Sequence, residues 1–262
     1  MAHLPSSVRL LAVTLPISGA KIDKLGVRLR DAENVETDDL AQLQALLLAY
    51  SDALAAVAEQ LRSNGLAPTT RLKTSGTIID KLRRESPITL RSIHDLAGAR
   101  VVQPMTLDDQ DKERDRIVAL WPDAKVIDRR ETPSHGYRAV HVIPRVDGCW
   151  VEIQLRTRYQ NAWAQVTETL ADMWGRQVRY GGEPDGPEER IFDEPHTRSQ
   201  AVAGWIAASE RIAALEQLEN LRGRFLNSMT EDELARLDAQ IDQGFGQLRA
   251  SLTQVREAFG LP

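Results

Sequence analysis

The stretch Val151–Thr157 reads VEIQLRT, and its alternation indicates how the chain folds around it. Its apolar residues occupy every second position, so they fall on one face of a β-strand and the polar residues fall on the other. The polar face carries an acid, an amide and a guanidinium, on Glu152, Gln154 and Arg156. This set is typical of a strand that lines a site for charged ligands. A half-buried strand with an ordinary solvated face is the alternative that this segment alone leaves open.

The segment before this stretch predicts a hairpin. Asp147-Gly148 is a strong two-residue turn signal, and it follows a strand predicted over residues 137–143, YRAVHVI. On that strand Tyr137 and His141 share one face. The polar faces of the two strands are then neighbours on one sheet surface, where the Tyr137 ring can meet a base. Packing of Tyr137 into the core is the alternative.

Composition excludes several classes of protein. The chain has 262 residues and a net charge of −5, which argues against a broad nucleic-acid-binding surface but allows a local basic pocket. Cys149 is the only cysteine, so neither a disulfide framework nor a cysteine-rich zinc site is expected. The N-terminus shows no clear signal peptide, with residues 10–15 read as a strand or arm, and a cytoplasmic location is expected. Apolar runs such as residues 41–49 are too short to span a bilayer, so no membrane association is expected.

A cationic segment follows the first long helix predicted, which covers residues 40–62. It reads RLKTSGTIIDKLRRESP, with a helix start at its Ser-Gly-Thr turn and a limit at Pro87. Cations and hydroxyls around a helix N-terminus form a cradle for a polyphosphate, whereas a solvated basic face is the alternative. The candidate phosphate contacts are Arg71, Lys73, Thr77, Lys81 and Arg84.

Two carboxylates complete the candidate site. Asp95 lies at the end of a short helix predicted over residues 90–96, and Glu152 lies on the strand described above. If they meet, they repel by about 1 to 4 kcal/mol at roughly 4 Å, which a divalent cation relieves. Mg²⁺ prefers carboxylate and phosphate oxygens, so the pair predicts a Mg²⁺ site and phosphoryl-type transfer from a nucleoside triphosphate. His94-Asp95 also fits a metal phosphohydrolase, but the chain has no pair of histidines at ligand spacing.

The remaining pattern predicts an α/β (α+β) fold, with a mixed, mainly antiparallel sheet wrapped by helices. Further helices are predicted over residues 106–120 and 158–177, and a strand over 125–131. Residues 197–262 read as a helical hairpin whose apolar stripe suits antiparallel pairing, packing on the core or self-association into a homo-oligomer. The predicted organisation is an N-terminal arm (1–39), a main domain (40–180), a linker loop (181–196) and the C-terminal hairpin (197–262).

Four segments in this order and spacing, RLKTSGTIIDKL, DLAGARVV, GYRAVH and VEIQLRT, resemble the RelA/SpoT-type (p)ppGpp synthetase domain. The resemblance covers about residues 40–180. It implies a nucleotidyltransferase-like fold and, with Mg²⁺, transfer of the β,γ-pyrophosphate of ATP to the ribose 3′-hydroxyl of GDP or GTP. No N-terminal hydrolase domain fits in the first 40 residues, so the expectation is a stand-alone small alarmone synthetase that serves stringent-response-type signalling.

The resemblance also implies a role for each matching residue. The implied ATP contacts are Arg71, Lys73, Thr77 and Lys81, with Arg84 as a helper and Arg100 as a further nucleotide-site arginine. The implied metal ligands are Asp95 and Glu152, and Glu152 also activates the 3′-hydroxyl. The implied acceptor contacts are Tyr137, which stacks on the guanine, with Arg138, His141, Gln154, Arg156 and Asn161.

One departure from the family pattern leaves the acceptor open. Relatives carry W-A-x-x-E-H on the following helix, whereas this chain has Thr167 and Glu168 in place of the glutamate and the histidine. Three functions are therefore compared. The first is the small alarmone synthetase. The second is a toxin that modifies the tRNA 3′ end or adenosine nucleotides, with an antitoxin partner, and the third is a nucleotide-binding regulatory module without turnover.

Overall fold

The computed structural model of the protein describes residues 15–85, 87–191 and 196–258. These residues form helices interleaved with strands, as the sequence predicts. The helices are α1 (Gly19–Asp31), α2 (Thr37–Ser63), α3 (Ser75–Arg84), α4 (Leu107–Leu120), α5 (Arg158–Trp174), α6 (Arg198–Phe225) and α7 (Glu231–Ala258). The strands are β1 (Thr69–Leu72), β2 (Ala97–Gln103), β3 (Lys125–Asp128), β4 (Val140–Ile143), β5 (Arg145–Val146) and β6 (Cys149–Thr157).

The strands build one sheet. Across the described residues their order is β1-β2-β6-β4-β3, and β5 pairs with β6 beside this path. β5 and β6 are joined by the predicted two-residue turn, in which Asp147 and Gly148 have φ angles of 49° and 84°. Positive φ at both turn residues is the geometry that matches the twist of a tight hairpin. The predicted mixed sheet wrapped by helices is confirmed.

The chain divides into two compact units. The first contains the described part of residues 1–101 together with 117–126 and 141–154. The second contains residues 102–116 and 127–140 and the described part of 155–262. β6 passes from the first unit into the second after Gln154. Glu152 and Gln154 are therefore described with the first unit, and Arg156 with the second.

The first unit is built around α2. This helix buries residues at steps of three and four, so one side of it faces the core. Each fully buried leucine contributes about 1.5–3 kcal/mol to folding. The buried apolar residues of α2 are Leu43, Leu46, Leu47, Ala49, Tyr50, Ala53, Leu54, Val57, Ala58 and Leu61. By length and composition α2 could cross a membrane, which no other described helix could, but five of its seven leucines are buried within the unit, as in the core helix of a globular protein.

The helix α1 was not predicted, since residues 1–39 were expected to form an arm. It packs against α2, α3 and the segment at residue 90 through Ile22, Leu25 and Leu29. A Cβ on Gly26 would lie 2.8 Å from the Cβ of Leu90, so the glycine permits this close approach. The same glycine weakens the helical signal, because glycine disfavours helix interiors. The strand or arm expected over residues 10–15 lies almost wholly outside the described residues.

The second unit is built around three helices. The apolar stripe of α7 contributes Ile241, Phe245, Leu248 and Leu252 to a core shared with α5 and α6. The ring of Phe245 stacks on Tyr159 with centroids 4.5 Å apart. Thr230 and Glu233 form a capping box before α7. The helical hairpin is therefore present, with these four residues of its apolar stripe buried, and self-association through the hairpin stays a prediction.

The strand predicted over residues 125–131 ends at Asp128, and the helix predicted over residues 158–177 ends at Trp174. Two further differences concern elements that carry candidate site residues. The strand expected over residues 137–143 begins only at Val140, because His135 and Gly136 adopt positive φ angles of 51° and 88° and Tyr137 pairs back to Ser134. The short helix expected over residues 90–96 is instead two 3₁₀ turns, Leu90–Ser92 and His94–Leu96. Both differences lie beside candidate site residues.

Candidate active site

In the first unit two lysines meet one aspartate, and we call these residues the lysine–carboxylate cluster. Lys73 follows β1, Lys81 lies on α3, and Asp95 lies in the 3₁₀ turn before β2. Lys73 Nζ is 2.5 Å from Asp95 Oδ2, and Lys81 Nζ is 3.0 Å from Asp95 Oδ1. The backbone bond from Lys73 N to Leu96 O, 2.8 Å long, fixes the two segments side by side.

The cluster keeps its charges in the folded protein. Burial opposes ionisation of Asp95, but the two ammonium groups hold the pKa of its carboxyl below the ordinary value. Burial also opposes the charge of Lys81, but Asp95 raises the pKa of Lys81 above the ordinary value. The cluster therefore presents two fixed cations and one fixed anion to a ligand.

The start of α3 lies next to this cluster. Thr74 is the N-cap, and its hydroxyl accepts a hydrogen bond from the Thr77 amide at 3.4 Å. The Thr77 hydroxyl donates to the Thr74 carbonyl at 2.8 Å, so the predicted ATP contact Thr77 also tightens the helix start. Arg84 lies in the last turn of α3, away from the start of the helix, and it forms an ion pair with Glu85 at 2.8 Å.

The strand register places the two predicted arginines on one face. Arg71 on β1 is opposite Gly98 on β2, and Thr69 is opposite Arg100. Residues two apart share a face, so Arg71 and Arg100 are diagonal neighbours on the same side of the sheet. Gly98, opposite Arg71, adds no side chain to this face.

A second group in the first unit is centred on Glu152, and we call it the glutamate cluster. Glu152 is 9% exposed. Its carboxylate accepts hydrogen bonds from His141 Nδ1 at 3.0 Å and from Gln154 Nε2 at 2.6 Å. Burial opposes ionisation, but these donors hold the pKa of Glu152 below its ordinary value, and the charge of Asp95 acts against them. Asp95 and Glu152 therefore interact electrostatically as two anions in one unit.

The predicted metal ligands, Asp95 and Glu152, are two ionised carboxylates in one unit. Among the described residues no group of three or more His, Cys, Asp or Glu side chains could hold a metal ion. Two ionised carboxylates leave most of the coordination sphere to phosphate oxygens and water, which is how Mg²⁺ is usually bound with nucleotides. Asp95 and Glu152 are the residues that would hold it.

In the second unit an aromatic ring and a guanidinium form the Tyr137–Arg156 pair. Arg156 Nη2 donates to Tyr137 Oη at 3.0 Å, and the guanidinium carbon is 5.0 Å from the ring centroid. Arg156 Nη1 also donates to Asn161 Oδ1 at 3.4 Å. The structure thus brings together three of the predicted acceptor contacts, Tyr137, Arg156 and Asn161.

Arg138 has structural partners in this unit. Its Nη1 donates to the Arg130 carbonyl at 2.7 Å, and its Nε donates to the Ser209 hydroxyl at 3.2 Å. Arg138 therefore holds the loop before β4, and its role as an acceptor contact stays a prediction. Sequence reasoning missed Ser209 because its partners lie more than 70 positions away in the chain.

Thr167, which replaces the family glutamate, is bonded within the second unit. Its hydroxyl donates to the Trp163 carbonyl and accepts from Trp205 Nε1, both at 3.0 Å. The Arg179 guanidinium donates to the Glu168 carbonyl at 3.2 Å. Thr167 therefore serves the packing of α5 against α6.

Trp150 is a further residue of the first unit that sequence reasoning did not select. It lies on the same side of β6 as Glu152, two positions earlier. Lys125 Nζ is 4.3 Å from the centroid of the indole ring, and the His94 ring meets it edge-on at 5.3 Å. Its position in the alternation of β6 was the signal that could have identified it.

These features define the class of the protein as a mixed α/β protein with the small alarmone synthetase fold. The small alarmone synthetase 1 from Bacillus subtilis matches with a TM-score of 0.52 and 21% identity, over 71% of this chain and 99% of that chain. The same synthetase bound to its product pppGpp matches with a TM-score of 0.52 and 23% identity, over 70% and 98% of the two chains.

Residues 70–171 match the region found in RelA and SpoT proteins, so this part of the chain is similar to that region. Uncharacterized protein Rv1366 of Mycobacterium tuberculosis and uncharacterized protein Mb1401 of Mycobacterium bovis are each 35% identical over 177 residues. The match covers 65% of this chain and 64% of each relative, so it spans less than two thirds of their length.

Proposed function

We propose that the protein transfers the pyrophosphate group of ATP to the ribose 3′-hydroxyl of GDP or GTP. The observation that carries this proposal is the pairing, within one unit, of the lysine–carboxylate cluster with an ionised and buried Glu152. The first provides cations for a polyphosphate, and the second provides an acceptor for the hydroxyl proton. The RelA/SpoT match over residues 70–171 contains both groups.

Each residue of the two clusters has a separate role in the proposed reaction. Lys73 and Lys81 bind and orient the phosphates of ATP, since their ammonium groups are fixed by Asp95. The 3′-oxygen attacks the β-phosphorus, the bond to the oxygen that bridges the α- and β-phosphates breaks, and AMP leaves. Glu152 accepts the hydroxyl proton, and His141 and Gln154 hold its carboxylate in place. A Mg²⁺ ion held by Asp95 and Glu152 would neutralise part of the phosphate charge.

The remaining predicted contacts complete the proposal. Arg71 and Arg100 border the donor nucleotide from one face of the sheet, and Thr77 offers the start of α3 to a phosphate. Tyr137 binds the acceptor base by stacking. Arg156 holds the Tyr137 ring through its hydroxyl, and Asn161 in turn holds Arg156. We place the reaction in the cytoplasm, on the basis of a single buried free cysteine and nucleotide substrates.

The test is a reaction of purified protein with ATP labelled in the γ-phosphate, Mg²⁺ and either GDP or GTP. The expected product is a guanosine nucleotide with a 3′-pyrophosphate, identified by mass spectrometry. E152Q is the inactive comparison, and E59Q on the exposed surface of α2 is its matched control. Absence of the product, with ATP and GDP still bound in calorimetry, would contradict the proposal.

A second candidate keeps the chemistry and changes the acceptor. It is favoured by Thr167, whose hydroxyl is bonded to Trp163 and Trp205 where relatives of the family carry a carboxylate. The same assay with tRNA, AMP and ATP in place of GDP decides between them. Label on the tRNA 3′ end or on an adenosine nucleotide, without label on GDP or GTP, would establish this candidate.

A further inference from the structure

The helix α6 buries polar side chains on the side that faces its own unit. Ser209, Glu216 and Asn220 are 2%, 3% and 7% exposed, and their spacing of seven and four residues puts them on one side of the helix. We call these three residues the α6 polar face. A polar group this deeply buried is costly unless it is hydrogen-bonded, so the partners of each one show what it holds in place.

Ser209 holds the two residues on either side of Tyr137. Its hydroxyl donates to the carbonyl of Gly136 and accepts from Nε of Arg138. Gly136 has a φ of 88°, and a Cβ on it would lie 2.7 Å from the ring of Trp163. One hydroxyl on α6 thus closes a loop whose backbone is already confined against α5.

Glu216 holds the residue that follows Arg156. Its carboxylate accepts from the Thr157 hydroxyl and from Gln160 Nε2, the latter at 3.1 Å. The Thr157 hydroxyl also accepts from the Gln160 amide at 3.1 Å, which caps the start of α5. Glu216 therefore fixes the junction between β6 and α5, from which the Arg156 side chain extends.

The hydrogen bonds of Ser209 and Glu216 both act next to the Tyr137–Arg156 pair. Tyr137 lies between Gly136 and Arg138, and Arg156 precedes Thr157. The helix α6 therefore holds both members of the Tyr137–Arg156 pair through their neighbours in the chain. The action of α6 on the pair passes through Gly136, Arg138 and Thr157.

We propose that α6 is a positioning element for the acceptor, with Ser209 and Glu216 as its positioning residues. This inference rests on the proposed function, in which the Tyr137–Arg156 pair binds the acceptor nucleotide. The new element is that helix α6 of the C-terminal hairpin sets the affinity for the acceptor. The lysine–carboxylate cluster sets the affinity for ATP independently of α6.

The kinetic test compares S209A and E216Q with two controls. The controls are S251A on α7 and E210Q on α6, which change the same side chains at exposed positions. Loss of one buried hydrogen bond is expected to raise the KM for the acceptor by about tenfold, with the KM for ATP and the controls within about twofold of the wild type. Equal rises in both KM values, or no rise in either, would overturn the proposal.

A second measurement does not depend on turnover. Amide hydrogen exchange in the nucleotide-free protein should increase in S209A at residues 136–138, and in E216Q at residues 157–160, without a general increase across α5 and α7. A uniform increase across the second unit would show that the residues serve only stability, and would overturn the proposal. If the wild type transfers no pyrophosphate, the proposed function fails, and this measurement still decides whether α6 positions the pair.

Discussion

The two units carry candidate binding groups of different physical character. In the first, Lys73, Lys81 and Asp95 form direct ion pairs, so the site is made of charges that contact one another. In the second, Tyr137 and Arg156 are positioned by neutral hydroxyls, carbonyls and a buried carboxylate on a distant helix. Charge that neutralises a polyphosphate can be encoded locally in a short motif, whereas a surface for a base depends on long-range packing. Substitutions in each unit can test this difference.

The largest effect is expected at Glu152. E152Q preserves the shape of the side chain but removes its charge and its ability to take a proton, so kcat should fall by about 10³-fold. The KM for ATP should rise by less than kcat falls, because Lys73, Lys81 and the other predicted Mg²⁺ ligand, Asp95, are untouched. Steady-state kinetics with ATP and GDP measures both constants. A kcat within threefold or so of the wild type would remove Glu152 from the chemistry.

The next effect is expected at Lys81. K81M removes one of two cations beside Asp95, and we expect the KM for ATP to rise by about 10- to 100-fold, as for the loss of a charge-assisted contact. The KM for the acceptor should stay near the wild-type value. K112M, at an exposed lysine on α4, is the matched control. A similar rise in both KM values would show that the two groups are not separable.

The backbone before Tyr137 gives a third comparison. G136A places a Cβ at a φ of 88° and against the Trp163 ring, so it should destabilise the protein by about 1–3 kcal/mol. Urea unfolding measures this change. G76A on α3, where a Cβ would meet nothing within 4 Å, serves as the control in the first unit. Equal stability of the two variants would contradict the close packing of the loop.

The smallest effects are opposite pH dependences of stability. The pKa of Asp95 is lowered by its lysines although burial opposes this, so its stabilising contribution is present above its unfolded pKa and is lost as the pH falls through the folded value. Burial raises the pKa of Glu216 despite hydrogen bonds from Thr157 and Gln160. Its contribution is present below its unfolded pKa and is lost as the pH rises through the folded value.

The measurement is urea unfolding of the wild type, D95N and E216Q at intervals from about pH 3 to 8. Relative to E216Q, the wild type should lose stability as the pH rises. Relative to D95N, it should lose stability as the pH falls. Parallel curves for all three proteins would show that neither carboxyl has a shifted pKa.

The first unit could be predicted more fully than the second because its sequence signals are local. The alternation in Val151–Thr157 and the turn at Asp147-Gly148 depend only on neighbours, and both are confirmed. The order of helices and strands was also predictable from periodicity. The assignment of Lys73, Lys81 and Asp95 to ATP and metal stays a prediction, although the structure brings the three residues together.

What sequence reasoning missed depended on distant partners. The helix α1 contains Gly26, whose helix-weakening effect is offset only by the contact with Leu90. Tyr137 was expected inside a strand, but it follows Gly136, whose positive φ accompanies close packing against Trp163 and Ser209. No local sequence pattern identifies Ser209, on a later helix, as the hydrogen-bond partner of that loop.

The bond between Trp205 and Thr167 has a consequence for how this protein can change over generations. A glutamate at position 167 would be longer than threonine and charged, and it would stand against an indole that needs only a small hydroxyl partner. A change at either position therefore alters the hydrogen bond made by the other. Positions 167 and 205 are therefore expected to covary in evolution. An acidic residue at 167 should occur together with a residue other than tryptophan at 205.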